Sequence, residues 1–469
     1  MTSDRIKATT SSNSSGIHLS FGQWLVLAVL SVIHLIRLLA LPFAAWAARS
    51  ARSDEKPAAS ADAPPKPVLF FYSQVAWDEV WQRPQEFALR LSLHFDVVFF
   101  GPLQLHRRFG SRHRVHYRQR VSSGEAQVMT ITPWTLPGTY KIPFVHRLNQ
   151  ALLRWEAQLA CPSDPDIVLT NSPFPDWLPD TFPTAFVAYD FIDDFIAFDW
   201  APADATERQQ CLLKQTDVLL SGTGILAEKY ASETGKPCEY IPSGVNATRW
   251  MNAAEQMNDV SVPDEIRDLP HPLIGYAGSI SSRINPDVIN ALAKHFDSGT
   301  VLMIGPVYGD VANQISGDNI VFLGAKEPAD LPALVCQFDV ALIPFVMNDA
   351  TRALNPIKAM EYLATGVPVI SAPLPDVEKE FSGVVELATT PDEFIAAAEA
   401  ILKWSPEQRK QRREESQQRV LERSWEAQGD AFTRSLLEAF EEHRQQSSQK
   451  SVGTDFSQQP ANRSQTQTA

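Results

Sequence analysis

The chain has 469 residues, 44% of them hydrophobic and 20% charged, with a formal net charge of -14 at neutral pH. That length fits about two or three domains with apolar residues enough for separate cores, and the acidic balance excludes a general electrostatic binder of nucleic acid. The four cysteines, Cys161, Cys211, Cys238 and Cys336, lie far apart and no paired or Cys/His spacing occurs, which leaves no disulfide framework and no structural zinc site to expect.

Residues 1–20 read as a disordered polar tail. Residues 21–48, FGQWLVLAVLSVIHLIRLLALPFAAWAA, are the most apolar stretch and read as a membrane anchor. A spanning helix and a helix lying in the interface, with Trp24 and Trp46 at head-group level, both fit; a cleaved signal peptide fits less well, because Pro42 to Arg49 makes a poor cleavage site. Arg49, Arg52 and Lys56 outnumber Arg5 and Lys7, which orients the C-terminal side toward the cytoplasm. Residues 49–67, rich in Pro and Ala, read as a linker.

The globular part begins at Val68 with VLFFYSQ, a continuous apolar run of strand length. A helix from Pro84 follows, then strand-like runs at 96–102, 127–133, 166–172, 185–191, 217–223 and 238–244, several separated by helical stretches. Within this part, the segment 106–120 holds six arginines, three histidines and no acid, a basic patch suited to anionic lipid or simply to solvent. A second series starts after the polar gap at 252–270, with runs at 273–279, 300–306, 319–325, 339–345 and 368–373. Strands alternating with helices predict parallel α/β layers. The expected organisation is two tandem doubly wound Rossmann-like domains, at 68–250 and 251–404, followed by charged helices over 405–444 and a disordered tail over 445–469. The cleft between two such domains, at the carboxyl ends of the strands, is the natural ligand site.

The most informative stretch is DVALIPFVMNDATRALNPIKAMEYLATGVPVIS at 339–371. A strand ends at Pro344-Phe345, a polar loop carries Asn348, Asp349, Thr351 and Arg352, and a helix opens at Asn355-Pro356. Lys358 and Glu361, three apart, share one helix face. Free amides at a helix start attract a phosphate, a lysine one turn in pairs with it, and a glutamate further on accepts from ribose hydroxyls. An ordinary surface Lys–Glu pair fits the same spacing. On the first domain, Trp77, Asp78, Trp81, Gln82 and Arg83 follow the first strand, where aromatic rings suit sugar faces and an arginine suits a phosphate; tryptophans buried in the core fit as well. Asp190, Asp193 and Asp194 close another strand and offer a carboxylate to an acceptor.

Taken together, VWQRPQEFALRLS, AYDFIDDF, DVLLSGTGILAEKY with YIPSGVNATRW, LIGYAGSISSRINPDVI, VLMIGP, NIVFLGAKEPADLPAL and NPIKAMEYLATGVPVIS resemble, in order and spacing, the retaining GT-B glycosyltransferases of family 4 and their relatives. The resemblance spans residues 68–404, and the subgroup resembled includes bacterial enzymes of extracellular and cell-wall polysaccharide synthesis. It implies a nucleotide-sugar donor on the second domain, a lipid-linked or glycan acceptor on the first, no metal and no other cofactor, and catalytic domains on the cytoplasmic side of a bacterial inner membrane. Carried over residue by residue, it implies donor contacts from Gly278, Ser279, Thr351, Asn355, Pro356 and Glu361, and a leaving diphosphate stabilised by Arg283 and Lys358. Asp194 is the implied catalytic carboxylate, and Trp77, Asp78, Arg83, Asp190 and Asp193 lie on the acceptor side. The family's first glutamate of a pair falls at Ala353, a departure from the pattern. That departure keeps a non-catalytic sugar-nucleotide-binding scaffold in view, and an epimerase of the same architecture would use the same donor grip.

Overall fold

The computed structural model describes residues 65–78, 81–104, 118–136, 142–198, 201–256, 262–355 and 357–455. The anchor expected at 21–48, and residues 106–117 of the basic segment, lie outside them. Among the described residues no helix is long and apolar enough to cross a membrane.

The N-terminal half is built on β1 (Val68–Tyr72), α1 (Arg83–Leu91), β2 (Asp96–Phe100), β3 (Leu103–Gln104), β4 (Arg118–Ser123), β5 (Ala126–Ile131), β6 (Trp134–Thr135), α2 (Pro143–Ala160), β7 (Ile167–Thr170), α3 (Leu178–Thr181), β8 (Phe186–Phe191), α4 (Ala205–Lys214), β9 (Val218–Ser221), α5 (Gly224–Thr234) and β10 (Cys238–Tyr240). Eight of these strands form one sheet in the order β10-β9-β8-β7-β1-β2-β5-β4. All pairs are parallel except β4 with β5. After β1 the chain builds outward through β2 and β5, then returns to place β7 on the other side of β1. That reversal opens a crevice at the carboxyl ends of β1 and β7.

The C-terminal half repeats the plan with α6 (Ala247–Gln256), β11 (Leu273–Ala277), α7 (Pro286–His295), β12 (Thr300–Ile304), β13 (Ile320–Gly324), α8 (Leu331–Val335), β14 (Val340–Ile343), α9 (Asp349–Arg352), α10 (Ile357–Thr365), β15 (Val369–Ser371), α11 (Pro375–Phe381), β16 (Val385–Leu387), α12 (Pro391–Leu402) and α13 (Pro406–Leu421). Its sheet runs β13-β12-β11-β14-β15-β16, all parallel, and reverses between β11 and β14. The strands are fully buried where helices cover both faces, as β11, β12 and β14 are, so they read as unbroken apolar runs.

Two boundaries differ from the sequence expectation. Val245, Ala247 and Trp250 join the C-terminal core, so the division falls before α6 rather than at 250. The last helix, α14 (Trp425–Asp455), runs ten residues past 445 and crosses back. Its Trp425, Phe432, Leu436 and Phe440 fill the N-terminal core beside Leu69, Phe71 and Phe87. The two crossings between halves are tied to each other: Val245 N–H donates to the Arg423 carbonyl at 2.9 Å and Trp425 N–H to the Val245 carbonyl at 3.3 Å. Gly244 allows this approach, since a Cβ there would lie 2.7 Å from the Trp425 backbone.

Candidate functional site

The crevice of the C-terminal half forms where β11 and β14 part. Tyr362, on α10, pins the end of β11: its hydroxyl accepts from Ala277 N–H at 2.8 Å and donates to the Ala277 carbonyl at 3.0 Å. The chain then turns at Gly278, φ 154°, whose N–H donates to the Ile304 carbonyl at 2.7 Å. The Lys358 side chain crosses directly above this turn. The backbone angle favours glycine, and a Cβ on Gly278 would lie 1.9 Å from Lys358 Cε, so a larger residue displaces the lysine. Gly305, at the end of β12, is equally bare, because a Cβ there would meet the Gly278 carbonyl oxygen at 2.0 Å.

Arg283 sits in the loop after Ser279. That loop is held against the end of β14 by Asn285 N–H to the Pro344 carbonyl and Val346 N–H to the Arg283 carbonyl, both 2.8 Å. Burial pushes the Lys358 ammonium below its ordinary pKa; Glu361 opposes that fall and Arg283 adds to it. Burial pushes Glu361 upward, against the pull of Lys358 and Arg249. Two cations from different elements therefore share a half-buried space at the switch point, and an anion between them relieves their repulsion. Asp193, after β8, faces Arg283 from the other half. Burial raises it to about 6, with Arg283 opposing and Asp194 adding to the rise.

The structure thus brings Gly278, Ser279, Arg283, Lys358, Glu361 and Asp193 to one cleft. Other expected site residues stand elsewhere, and their roles are corrected. Trp77 is 5% exposed and packs edge-on against Phe99 at 5.0 Å, a core position. Arg83 and Asp190 form a buried bidentate pair, Nε to Oδ2 at 2.9 Å and Nη2 to Oδ1 at 2.8 Å, with Arg83 Nη1 donating to the Ile241 carbonyl at 2.6 Å. That pair joins α1 to β8, and loss of one member costs about 3–5 kcal/mol by stranding the other charge. Asp78 receives Gln119 Nε2 of β4 at 3.4 Å, while its other oxygen is buried without a hydrogen-bond partner among the described residues. Asp194 is engaged by Lys229 Nζ at 2.7 Å and Tyr230 Oη at 3.1 Å, which removes it from the role of free catalytic carboxylate.

The loop expected at 348–352 is in fact the short helix α9, closed by a capping box between Asn348 and Thr351. The Thr351 hydroxyl donates to the Val346 carbonyl and so serves its own loop rather than a ligand. Asn355 turns its Nδ2 to Asp376 at 3.2 Å. Pro356 lies outside the described residues. Ala353, where the resembled family has glutamate, is 6% exposed and packs among Tyr189, Phe191, Leu226 and Tyr230 of the N-terminal half. A carboxylate there would be buried against rings and methyl groups, which accounts for the alanine.

Pattern reading missed the polar rim of the N-terminal crevice. Gln74 N–H donates to Asn171 Oδ1 at 2.8 Å, Ser172 Oγ donates to Gln74 Oε1 at 2.7 Å, and Asn171 Nδ2 is buried without a hydrogen-bond partner among the described residues. Their position just beyond β1 and β7 was the available signal.

Residues 286–431 match the family described as Glycosyl transferase-like. A Bacillus subtilis (strain 168) protein provisionally described as a teichuronic acid biosynthesis glycosyltransferase, TuaH, is 28% identical over 137 residues, and the chain spans 34% of its length. Among solved structures, a trehalose-6-phosphate structure from E. coli bound with UDP-2-fluoro glucose matches with TM-score 0.59 at 12% identity, covering 78% of this chain and 98% of that one. The UDP-forming alpha,alpha-trehalose-phosphate synthase of Burkholderia xenovorans, in complex with glucose-6-phosphate, matches with TM-score 0.58 at 13% identity, covering 79% and 100%. Two doubly wound halves facing each other across the ends of their parallel sheets give this chain the GT-B fold, and the second half carries the match to the glycosyl transferase-like family.

Proposed function

We propose that the protein is a glycosyltransferase that takes a sugar from a nucleoside diphosphate sugar bound on its C-terminal half. The observation that carries this reading is Lys358 lying over the bare Gly278 turn with Arg283 beside it, which suits a diphosphate. As the bond between the anomeric carbon and the β-phosphate oxygen breaks, negative charge grows on the departing diphosphate, and Lys358 and Arg283 neutralise it without a metal. Glu361, further along the same helix, accepts from the donor ribose. The acceptor enters from the crevice beside Gln74 and Asn171, and Asp193 is the carboxylate placed to accept its hydroxyl proton. Closure of the halves excludes water and limits hydrolysis.

The finer reading is retention of anomeric configuration, with a lipid-linked or polysaccharide acceptor in bacterial exopolysaccharide or cell-envelope glycan synthesis. We place the reaction on the cytoplasmic side of the inner membrane, held there by residues 21–48. Thermal shift of the full chain against a panel of nucleoside diphosphate sugars tests the first step, and stabilisation by at least one is expected. In the same protein, Lys358→Ala and Glu361→Ala are each expected to lower sugar transfer by about a hundredfold with the fold retained. No stabilisation at millimolar sugar nucleotide would overturn the reading, and binding without turnover would favour the scaffold.

A further inference from the structure

Outside the cleft, a connected cluster of polar side chains lies between the halves. Asp376, at the second position of α11, is 4% exposed. Its Oδ1 accepts from Gly224 N–H at 3.2 Å, the first residue of α5 in the N-terminal half. Its Oδ2 accepts from Asn355 Nδ2 at 3.2 Å, two residues before α10. One turn along α11, Glu380 accepts from the hydroxyl of Tyr240, at the end of β10, and holds Arg423 at 3.3 Å. Lys379 stands over the Tyr240 ring at 5.4 Å. Asp376 and Glu380 therefore grip the N-terminal half from one face of α11; Asp376 also holds Asn355, just before the helix that carries Lys358 and Glu361, and Asn355 Nδ2 donates as well to the Tyr240 hydroxyl at 3.5 Å.

The chemistry explains why a carboxylate stands there. Thr223 caps α5 by accepting from Leu226 N–H at 3.3 Å, which leaves the Gly224 amide for an outside acceptor. The positive end of α5 favours an anion. Two polar atoms are needed, an acceptor for the Gly224 amide and a partner for the Asn355 amide group, which can turn to accept from a protonated oxygen; aspartate supplies both from a short side chain. Gly224 has no spare room, since a Cβ would lie 3.3 Å from Asp376 Oδ1.

We propose that Asp376 is a positioning residue that couples the seating of the two halves to the head of the donor helix, so that α5 and α10 tighten or loosen together. The proposal stands on the shared carboxylate and does not need the sugar-transfer reading; only its effect on donor binding rests on that reading. Burial raises the Asp376 carboxyl to about 6, with Glu380 adding to the rise, and with the Gly224 amide, Asn355 and Lys379 opposing it. The charged groups facing it are thus Glu380 and Lys379 of its own helix, with Tyr240 from β10 and Arg423 behind Glu380. A raised carboxyl pKa means that the seated form binds the proton more tightly than the loosened one, so seating strengthens as pH falls through about 6.

Hydrogen-exchange mass spectrometry on the ligand-free full chain tests the coupling. Asp376→Ala is expected to speed exchange about tenfold or more in the first turns of both α5 and α10, while β1 and β11 stay protected. Asp376→Asn, which keeps one acceptor and lets Asn355 turn its amide, is expected to restore wild-type protection at neutral pH. Corrected for intrinsic rates, wild-type protection at both helix starts should rise about tenfold between pH 7.5 and 5, and Asp376→Asn should show no such rise. Loosening of α5 alone in Asp376→Ala, or the same pH response in Asp376→Asn, would overturn the proposal; the second comparison decides the matter even where the alanine variant fails to fold. If the wild type binds no sugar nucleotide, the functional reading fails while these exchange results stand. If it binds UDP-glucose, used as the probe, Asp376→Ala should weaken that binding and Asp376→Asn should leave it near the wild-type value.

Discussion

Gly278 shows how much a single residue decides. Its φ of 154° lies in the region open to glycine, and the space where a Cβ would stand is filled by the Lys358 side chain. Gly278→Ala therefore carries both backbone strain and a clash with the stem of the lysine that bears the site's charge. The strain costs about 1–3 kcal/mol. The larger expected effect is local: Lys358 swings away and sugar-nucleotide affinity falls at least tenfold, while the thermal midpoint moves by only a few degrees. Isothermal titration beside a thermal melt separates the two. An unchanged affinity would remove Lys358 from the phosphate site. Asp193 belongs to the same scale. With its carboxyl raised to about 6, it is ionised in neutral buffer and protonated in mild acid. Transfer should fall as pH drops through about 6, and Asp193→Asn should both lower the rate at neutral pH and abolish that limb of the pH profile.

At the scale of elements, Ala353 carries the sharpest prediction. It sits between α9 and α10 and inserts into an apolar cluster of the other half, with Tyr189, Phe191 and Tyr230 around it. Ala353→Glu, which restores the resembled family's residue, should not improve catalysis. It should destabilise the protein by about 2–4 kcal/mol, because the carboxylate loses water without gaining a partner. Urea unfolding of the two proteins measures this, and equal stability would mean that α9 is free to leave the cluster. The same elements show what was legible in the sequence. β1, β7, β8, β11 and β14 are buried along most of their length, so each appears as a bare apolar run. β4 alternates between half-buried and exposed residues in a charged segment, and β16 is three residues long, so neither carries that signal. Lys358 and Glu361 of the C-terminal crevice stood out because they share one helix face, and Arg283 through the resemblance alone. Arg83–Asp190 and Gly224–Asp376 were not, because the partners stand 107 and 152 positions apart and no local spacing announces them.

The two large sheets of the described residues bring their switch points to one cleft and are joined by a strip in which Val245 and Ser424 pair as neighbouring strands do. Both connections between the halves pass through that strip, so any rotation of one half against the other hinges there. Placement of Arg283 on one half and Asp193 on the other makes the cleft charges sensitive to that rotation. Small-angle scattering should therefore report a smaller radius of gyration with a bound sugar nucleotide than without one, and no change on saturation would argue for a fixed cleft.

The return of α14 has a consequence for how the protein is made. Everything the second half needs, from α6 to α13, has been synthesised before Trp425 is added, whereas the first half still lacks Phe432, Leu436 and Phe440 from its interior. Synthesis runs from one end, but the later half is free to finish folding ahead of the earlier one, which waits for the last helix to be translated.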